Sequence, residues 1–148
     1  MKPHDKYLIF LMSAITATGA RPGSGPSTDL DKQRAFNDVM AERFSEVSEP
    51  DRRAMIRRTL AKRPPISGGL DLLRLVESSS RKLSKTTEPR QAFQLLRSLL
   101  QIARASGEVT DTELLVLRAA CAGLNLRGQV TLESSAGRVK LRRLRAAA

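Results

Sequence analysis

The sequence predicts an all-α protein, a single compact bundle of about six helices with an internal helix-hairpin pseudo-repeat and a basic C-terminal tail. Apolar residues recur at helical spacing through most of the 148 residues, and capping signals precede several of these segments. Aromatic residues make up only 3% of the chain and Trp is absent. A core of aliphatic side chains and Met suits helices better than a sandwich or a barrel. No period-2 stretch of β-branched residues is long enough to predict a strand.

The N-terminal third of the chain predicts two helices separated by a loop. Helix one, residues 5–18, is apolar on most sides, which predicts a central position in the bundle. A Gly/Pro/Ser-rich loop follows over residues 20–28, and helix two covers residues 29–46. Its buried face is marked at helical spacing by Ala35, Phe36, Val39, Met40 and Phe44.

The middle third predicts helices three and four. Ser48-Glu49-Pro50-Asp51 combines a Ser cap, Pro in the first turn and acids where the helix dipole favours them, so helix three continues from there to about residue 61. Helix four covers residues 70–79, and a polar, basic linker covers residues 78–87. The apolar positions predicted to face inward are Met55, Ile56 and Leu60 in helix three and Leu70, Leu73 and Val76 in helix four.

Helices five and six flank a turn with a strong capping signal. Helix five follows Thr87-Glu88-Pro89 and ends near residue 104, and helix six covers residues 111–124, where Asn125 or Gly128 can end it. Between them, Thr110 can accept from the amide three residues on while Glu113 reaches back to the Thr110 amide, which is the reciprocal capping box. The inner face of helix five is predicted to hold Ala92, Phe93, Leu96, Leu99, Leu100 and Ala103.

Two segments align with each other and predict a duplicated helix-turn unit. IFLMSAITATG, residues 9–19, lies over RSLLQIARASG, residues 97–107, so that Leu11 falls on Leu99. The glycine that closes each segment is predicted to adopt positive φ and end a helix. We therefore expect helices one and five to pack at the centre, with the two Gly turns near each other. The structural residues predicted for the turns are Gly19, Ser106, Gly107 and Thr110.

The formal net charge of +11 is concentrated in residues 51–63 and 138–148. Such charge favours a polyanion, whether nucleic acid, an anionic membrane or an acidic protein surface, and the plain alternative is a solvated face. Residues 1–128 are interpreted as the helical domain, and residues 129–148 as a basic tail that is partly disordered or becomes helical on a partner. The candidate partner- or polyanion-binding residues are Arg52, Arg53, Arg57, Arg58, Lys62, Arg63, Arg138, Lys140, Arg142, Arg143 and Arg145.

The residue types offer little support for catalysis. The single histidine, His4, lies near a chain end, where it would not be held with the precision that a catalytic triad needs. The single cysteine, Cys121, excludes an internal disulfide and is in phase with apolar residues, so it is predicted to be a small buried hydrophobe. No Cys/His cluster offers a zinc site, and no Gly-rich segment completes a P-loop. The sequence therefore predicts no enzyme, no cofactor and no small-molecule substrate.

The segment from Ala105 to Leu114 resembles the repeat motif of the tellurite-resistance TerB family, and of the TerB-like domain on membrane-anchored DnaJ-type cochaperones. In that family each half has an alanine-rich apolar helix, then Ala-Asp-Gly, a small hydrophobic residue and a capped acidic helix start. The resemblance covers about residues 7–126 and implies a helical module with an acidic, metal-associated surface. Here the family's Asp is replaced by Ser106, and by Thr18 in the first half.

The loss of those two carboxylates leaves only weak candidates for a divalent ion. Calcium or magnesium needs several clustered oxygen ligands, mostly charged, to offset dehydration. The second half retains Glu108, Asp111 and Glu113, and the first half retains Asp29 and Asp31. Helix capping and the helix dipole explain these acids without a metal, so no bound metal is expected.

The residues favour a non-enzymatic protein, and the resemblance implies a TerB-like module that binds protein partners through helix faces in a bacterial stress-response, envelope or phage-defence system. The alternative is a basic, phage- or plasmid-borne accessory protein that binds nucleic-acid phosphate through helix three and the tail. No groove-reading motif, aromatic platform or RNA-recognition motif accompanies these arginines. An anionic membrane surface is a further partner that the basic tail could contact.

The apolar N-terminal segment admits two interpretations. Residues 7–20 follow Lys2 and Lys6 and form a passable secretory signal, which would make the protein secreted or periplasmic. Against this, Asp5 lies where such a signal needs basic residues, and the run is too short to span a bilayer. The pseudo-repeat instead makes the segment a core helix, which predicts a cytoplasmic protein, with peripheral contact to the inner membrane as an option.

Overall fold

The computed structural model describes residues 2–17, 26–105, 107–126, 128–135 and 138–143, without the side chains of residues 26–29, 134, 135 and 143. Within these ranges the chain forms six helices and one antiparallel hairpin, which confirms the predicted helical bundle and adds a small sheet to it. The helices are α1 (Asp5–Ala17), α2 (Pro26–Arg43), α3 (Glu49–Ala61), α4 (Gly69–Ser84), α5 (Pro89–Arg104) and α6 (Asp111–Gly123). The strands are β1 (Val130–Ser135) and β2 (Arg138–Arg143).

The central helix is α1, as its apolar surface predicts. It contacts each of the other five helices, and its most extensive neighbour is α4, which also packs along α6. Leu11 in α1 and its repeat counterpart Leu99 in α5 are both fully buried. The expectation that α1 and α5 share the centre is therefore right for α1, whereas α4 contacts α1 more extensively than α5 does.

The fourth helix differs from its prediction in length and in its buried face. It continues to Ser84, so most of the predicted linker is helical, and Leu70, predicted to face inward, is 63% exposed. A Cβ built on Gly123 of α6 would lie 2.5 Å from the Ser80 Cβ, so α6 approaches this serine closely. Small polar residues are buried at that approach, which is why composition alone indicated a linker. The buried face consists of Leu72, Leu75, Val76, Ser79, Ser80 and Leu83.

Residues 130–143 form a hairpin, so the predictions of a partly helical tail and of no strand are wrong for this segment. The strands pair from Val130 opposite Arg143 to Ser135 opposite Arg138. Alternate residues along a strand face opposite sides, and here one side is apolar and packs against the bundle. Each strand contributes only two apolar residues, too few for the period to be recognised beside the helical segments. The core-facing side chains are Val130, Leu132, Val139 and Leu141.

The ends of the helices show the predicted capping chemistry. Asn125 has φ 60° after α6, and the Leu126 amide donates to the Cys121 carbonyl at 3.0 Å, which is a Schellman C-cap. Cys121 itself is buried, as predicted. In the N-terminal part of the chain, α2 begins at Pro26, which lies inside the predicted loop. Proline suits the first turn of a helix.

Candidate partner-binding surface

The turn before α6 has the predicted capping box. The Glu113 amide donates to Thr110 Oγ1 at 3.1 Å, and the Thr110 amide donates to Glu113 Oε1 at 3.2 Å. Gly107 has φ 108°, as predicted for the residue that closes the preceding helix. Its counterpart Gly19 and the neighbouring Ser106 lie outside the described residues. The expected proximity of the two Gly turns therefore stays a prediction.

A buried ion pair joins this turn to α2. Lys32 Nζ lies 2.8 Å from Glu113 Oε2, and both side chains are 1% exposed. Among the described residues neither atom makes a directed hydrogen bond, so the contact is electrostatic while the other carboxylate oxygen serves the capping box. Sequence reasoning missed the pair because nothing local to Lys32 indicates which residue faces it across the bundle.

The same geometry leaves little room for the weak metal candidates to act together. The Lys32 ammonium occupies the Oε2 side of Glu113, where a cation would otherwise approach. Glu108 and Asp111 are exposed at the surface. In the part of the chain that the structure describes, no three His, Cys, Asp or Glu residues are close enough to hold one metal ion.

The predicted basic residues of α3 lie on several sides of that helix. Arg53, Arg57, Arg58 and Lys62 are exposed, whereas Arg52 and Arg63 are half-buried. Arg53 pairs with Glu49 at 2.6 Å, one turn away on the same helix. α3 packs on α1 and α2. It lines no part of the groove that β2 borders, so its basic residues and those of the hairpin do not meet in that groove.

The hairpin places three of its basic residues on the side of the sheet opposite the core-facing residues. Arg138, Lys140 and Arg142 alternate with the core-facing residues of β2 and are exposed, about 7 Å apart along the strand. Arg142 lies 3.5 Å from Glu133 of β1, in a contact open to solvent. The hairpin therefore turns part of the predicted basic tail into an ordered row. The Arg143 side chain and the whole of Arg145 lie outside the described residues.

An open groove with a volume of about 1400 Å³ runs between the start of α1, the end of α2, α5 and β2. Leu8, Met12 and Leu100 lie beneath it and are at most 3% exposed, so they offer almost no surface to a ligand. Half-buried Phe93 and Leu141 also line it, so a ligand in the groove would meet apolar surface as well as charge.

One wall of the groove is the exposed face of α5, where Arg and Gln alternate in a regular row. Arg90, Arg97 and Arg104 are seven residues apart, and Gln94 and Gln101 lie between them; all five are exposed. Residues spaced by three, four and seven share one helix face, so the row is straight and about 21 Å long. We call these five residues the α5 row. Arg97 and Arg104 border the groove, and Arg90 continues the row beyond it.

The charges around the groove are unequal. The groove is lined by five basic residues and two acidic ones. The basic residues are Lys2, Arg43, Arg97, Arg104 and Lys140, and the acidic ones are Asp5 and Glu42. Asp5 is already engaged, since it accepts from the Lys2 amide at 2.9 Å and lies 3.6 Å from an Arg43 nitrogen. Within the described ranges no carboxylate lies within ion-pair distance of Arg90, Arg97, Arg104 or Lys140.

Sequence reasoning overlooked the α5 row, although the signal was present. The dense basic clusters of the chain lie in residues 51–63 and 138–148, whereas the arginines of α5 are spread at seven-residue intervals. The segment PRQAFQLLRSLLQIAR contains three arginines and no acid. A helical projection of those sixteen residues would have placed all three arginines together in one strip beside the predicted core residues.

Comparisons of the chain with protein-family models, with curated proteins and with solved structures find no match. In the described part of the chain, no helix is long and apolar enough to cross a membrane.

Proposed function

We propose that the protein is a non-enzymatic, TerB-like interaction module of a bacterial stress-response, envelope or phage-defence system, and that it binds a protein partner in the groove beside α5. The observation that carries the proposal is the α5 row, whose three exposed arginines lie on one helix face next to an open groove that half-buried Phe93 and Leu141 also line. The capped turn at Thr110 and the similar burial of Leu11 and Leu99 are consistent with the family resemblance.

The row offers specificity rather than a large gain in affinity. Exposed ion pairs contribute about 0–1 kcal/mol each, but complementary charge raises the association rate and rejects partners of the wrong sign. An arginine fork can bind a carboxylate through two hydrogen bonds. Burial of apolar side chains against Phe93 and Leu141 would supply the remaining affinity.

The second candidate function is nucleic-acid binding, and the observation that favours it is the outer face of the hairpin. A two-stranded ribbon fits the major groove of DNA, and Arg138, Lys140 and Arg142 form a basic row on such a ribbon. Phosphate contacts of this kind lose affinity steeply as salt increases. The exposed arginines of α3 would add further phosphate contacts in this alternative.

The two candidates differ in an affinity purification of the tagged protein from its own cells, with and without nuclease treatment. The proposed module retains a defined protein after nuclease treatment and in moderate salt, and Arg90→Gln/Arg97→Gln releases it. The matched control is Arg74→Gln/Lys82→Gln, which removes the same charge from exposed positions of α4 outside the groove and should retain the partner. A partner that disappears with nuclease treatment would contradict the proposal and favour nucleic acid.

A further inference from the structure

We infer that the groove binds an acidic amphipathic helix, which lies along α5 with carboxylates at seven-residue spacing opposite Arg90, Arg97 and Arg104. This inference rests on the proposed function, because it names the class of partner segment for the same groove. Three properties of the surface support it: the spacing of the arginines, the size of the groove and the chemistry of the side chains that line the groove.

The spacing of the arginines matches the repeat of a second helix. Seven residues correspond to about 10.5 Å along a helix, so a helix packed alongside α5 repeats its own face at the same interval. Residues i and i+7 of the partner would meet successive arginines, and Gln94 and Gln101 would supply neutral donors and acceptors between them. An extended peptide rises about 3.3 Å per residue and would not keep this register with one residue type.

The size of the groove agrees with a short helix. Three turns of helix, about 10 Å across and 15 Å long, displace roughly 1200 Å³ and cover the row from Arg97 to Arg104; about two further turns reach Arg90, which lies beyond the groove. The groove has a volume of about 1400 Å³ and is open to solvent. A helix docked in an apolar groove is also an established mode of peptide recognition, in which residues at i, i+3, i+4 and i+7 are the anchors.

The chemistry of the groove favours a protein over a nucleic acid. Single-stranded nucleic acid is bound by aromatic side chains on which the bases stack, and among the described lining residues the aromatic rings are those of His4 and Phe93. Half-buried Phe93, Leu95 and Leu141 line the groove and match apolar side chains on the inner edge of an amphipathic helix. The arginines of the row, which have no carboxylate within ion-pair distance among the described residues, then face its acidic edge.

The test is a fluorescence-anisotropy titration of the full-length protein with labelled synthetic peptides of about 21 residues, long enough to cover the row. The first peptide is a Leu/Ala/Gln-based helix with Glu at every seventh position. The second peptide has the same residues in a different order, so that its glutamates no longer lie on one face of the helix. In the third two central residues are replaced by proline, which breaks the helix. Labelled single-stranded and duplex DNA of similar length are the remaining probes.

The inference predicts that the first peptide binds most tightly, and that the reordered and proline-broken peptides bind roughly tenfold more weakly because they lose the register or the helix. Arg90→Gln/Arg97→Gln should weaken the first peptide roughly fivefold or more, whereas the control Arg74→Gln/Lys82→Gln should not. Arg104 is kept in the test variant because its guanidinium donates to the Val139 carbonyl and connects α5 to the hairpin. Arg97→Glu should in turn prefer a peptide in which the facing Glu is replaced by Lys.

Equal binding of the helical and proline-broken peptides would overturn the helical partner and leave the groove as a protein-binding site. If the DNA probes bind more tightly than the first peptide and lose affinity in Arg90→Gln/Arg97→Gln, the inference is overturned in favour of phosphate. If no peptide binds, and the partner protein still co-purifies with the Arg90→Gln/Arg97→Gln variant, both the inference and the proposed function fail. Because Arg90 and Arg97 are exposed, none of these outcomes depends on a variant that fails to fold.

Discussion

At the scale of single residues, Glu113 combines two roles in one carboxylate. One oxygen completes the capping box with Thr110, and the other lies 2.8 Å from Lys32 Nζ, at 1% exposure for both side chains. The capping box was evident in the sequence because it is local, whereas Lys32 could not be assigned as a partner before the fold was known. Separating two buried charges is costly, so the pair fixes α2 against the start of α6.

Replacing Lys32 by Met should therefore destabilise the protein by about 3–5 kcal/mol, because the Glu113 carboxylate is left buried without its counter-charge. The free energy of unfolding from urea or guanidinium titration measures this. Arg53→Met is the control, since the Arg53–Glu49 pair is exposed and its loss should cost less than about 1 kcal/mol.

A second variant separates charge from shape. Lys32→Met/Glu113→Gln should recover part of the lost stability, because glutamine removes the buried charge and still accepts from the Thr110 amide. Similar stability of Lys32→Met and the wild type would contradict the buried ion pair.

Asp71 provides a pH-dependent contact at the start of α4. The Ser67 hydroxyl and, at 3.1 Å, the Ser67 amide donate to the Asp71 carboxylate, and these hydrogen bonds lower its pKa below the ordinary value of 3.8. Because the folded-state pKa is lowered, the contact stabilises the fold above pH ~4 and loses this effect as the pH falls through the folded-state pKa. NMR titration should show the low pKa of Asp71, and Ser67→Ala should raise it; an unchanged pKa in Ser67→Ala would contradict the assignment.

At the scale of elements, the contact of α4 with α6 depends on one glycine. A Cβ on Gly123 would lie 2.5 Å from Ser80 Cβ and 3.0 Å from the Glu77 carbonyl oxygen. The helices can approach this closely only because small residues meet at that point. The same small, polar serines made residues 78–84 resemble a linker, which explains why the end of α4 could not be predicted from the sequence.

Gly123→Ala should destabilise the protein by about 1–3 kcal/mol through overpacking, although alanine is the better helix former. Gly69→Ala in the first turn of α4 is the matched control, because no heavy atom lies within 4 Å of its Cβ position. The control should leave stability unchanged or raise it by up to about 1 kcal/mol. Thermal or chemical unfolding compares the two, and equal effects of the two substitutions would contradict the close helix contact.

The hairpin and α5 show two different limits of prediction for an element. The strands are short, and their alternation became evident only with Val130 and Val139 buried against the bundle. The α5 row, by contrast, could have been predicted, because the helix, its inner face and its seven-residue arginine spacing were all present in the sequence. What the sequence could not show was that the row borders an open groove.

At the scale of the whole molecule, the bundle is organised around α1, and its central position followed from a segment that is apolar on most sides. The six helices were predictable because each carries its own period or cap, and the pseudo-repeat correctly placed both Leu11 and Leu99 in the core. The arrangement of the basic residues was less predictable, since charge clusters in the sequence are divided in space between α3 and the hairpin. The groove beside α5 is a property of the assembled helices.

Site-specific photocrosslinking in the native cell tests the central claim, binding of a protein partner beside α5, most directly. A photoreactive amino acid replaces Gln101, which lies in the groove between Arg97 and Arg104, and in a second strain it replaces Lys82, which is exposed on α4 outside the groove. We expect a discrete, nuclease-resistant adduct with one protein from position 101 and none from position 82. Adducts from position 82 alone, or adducts at position 101 that disappear with nuclease treatment, would contradict it.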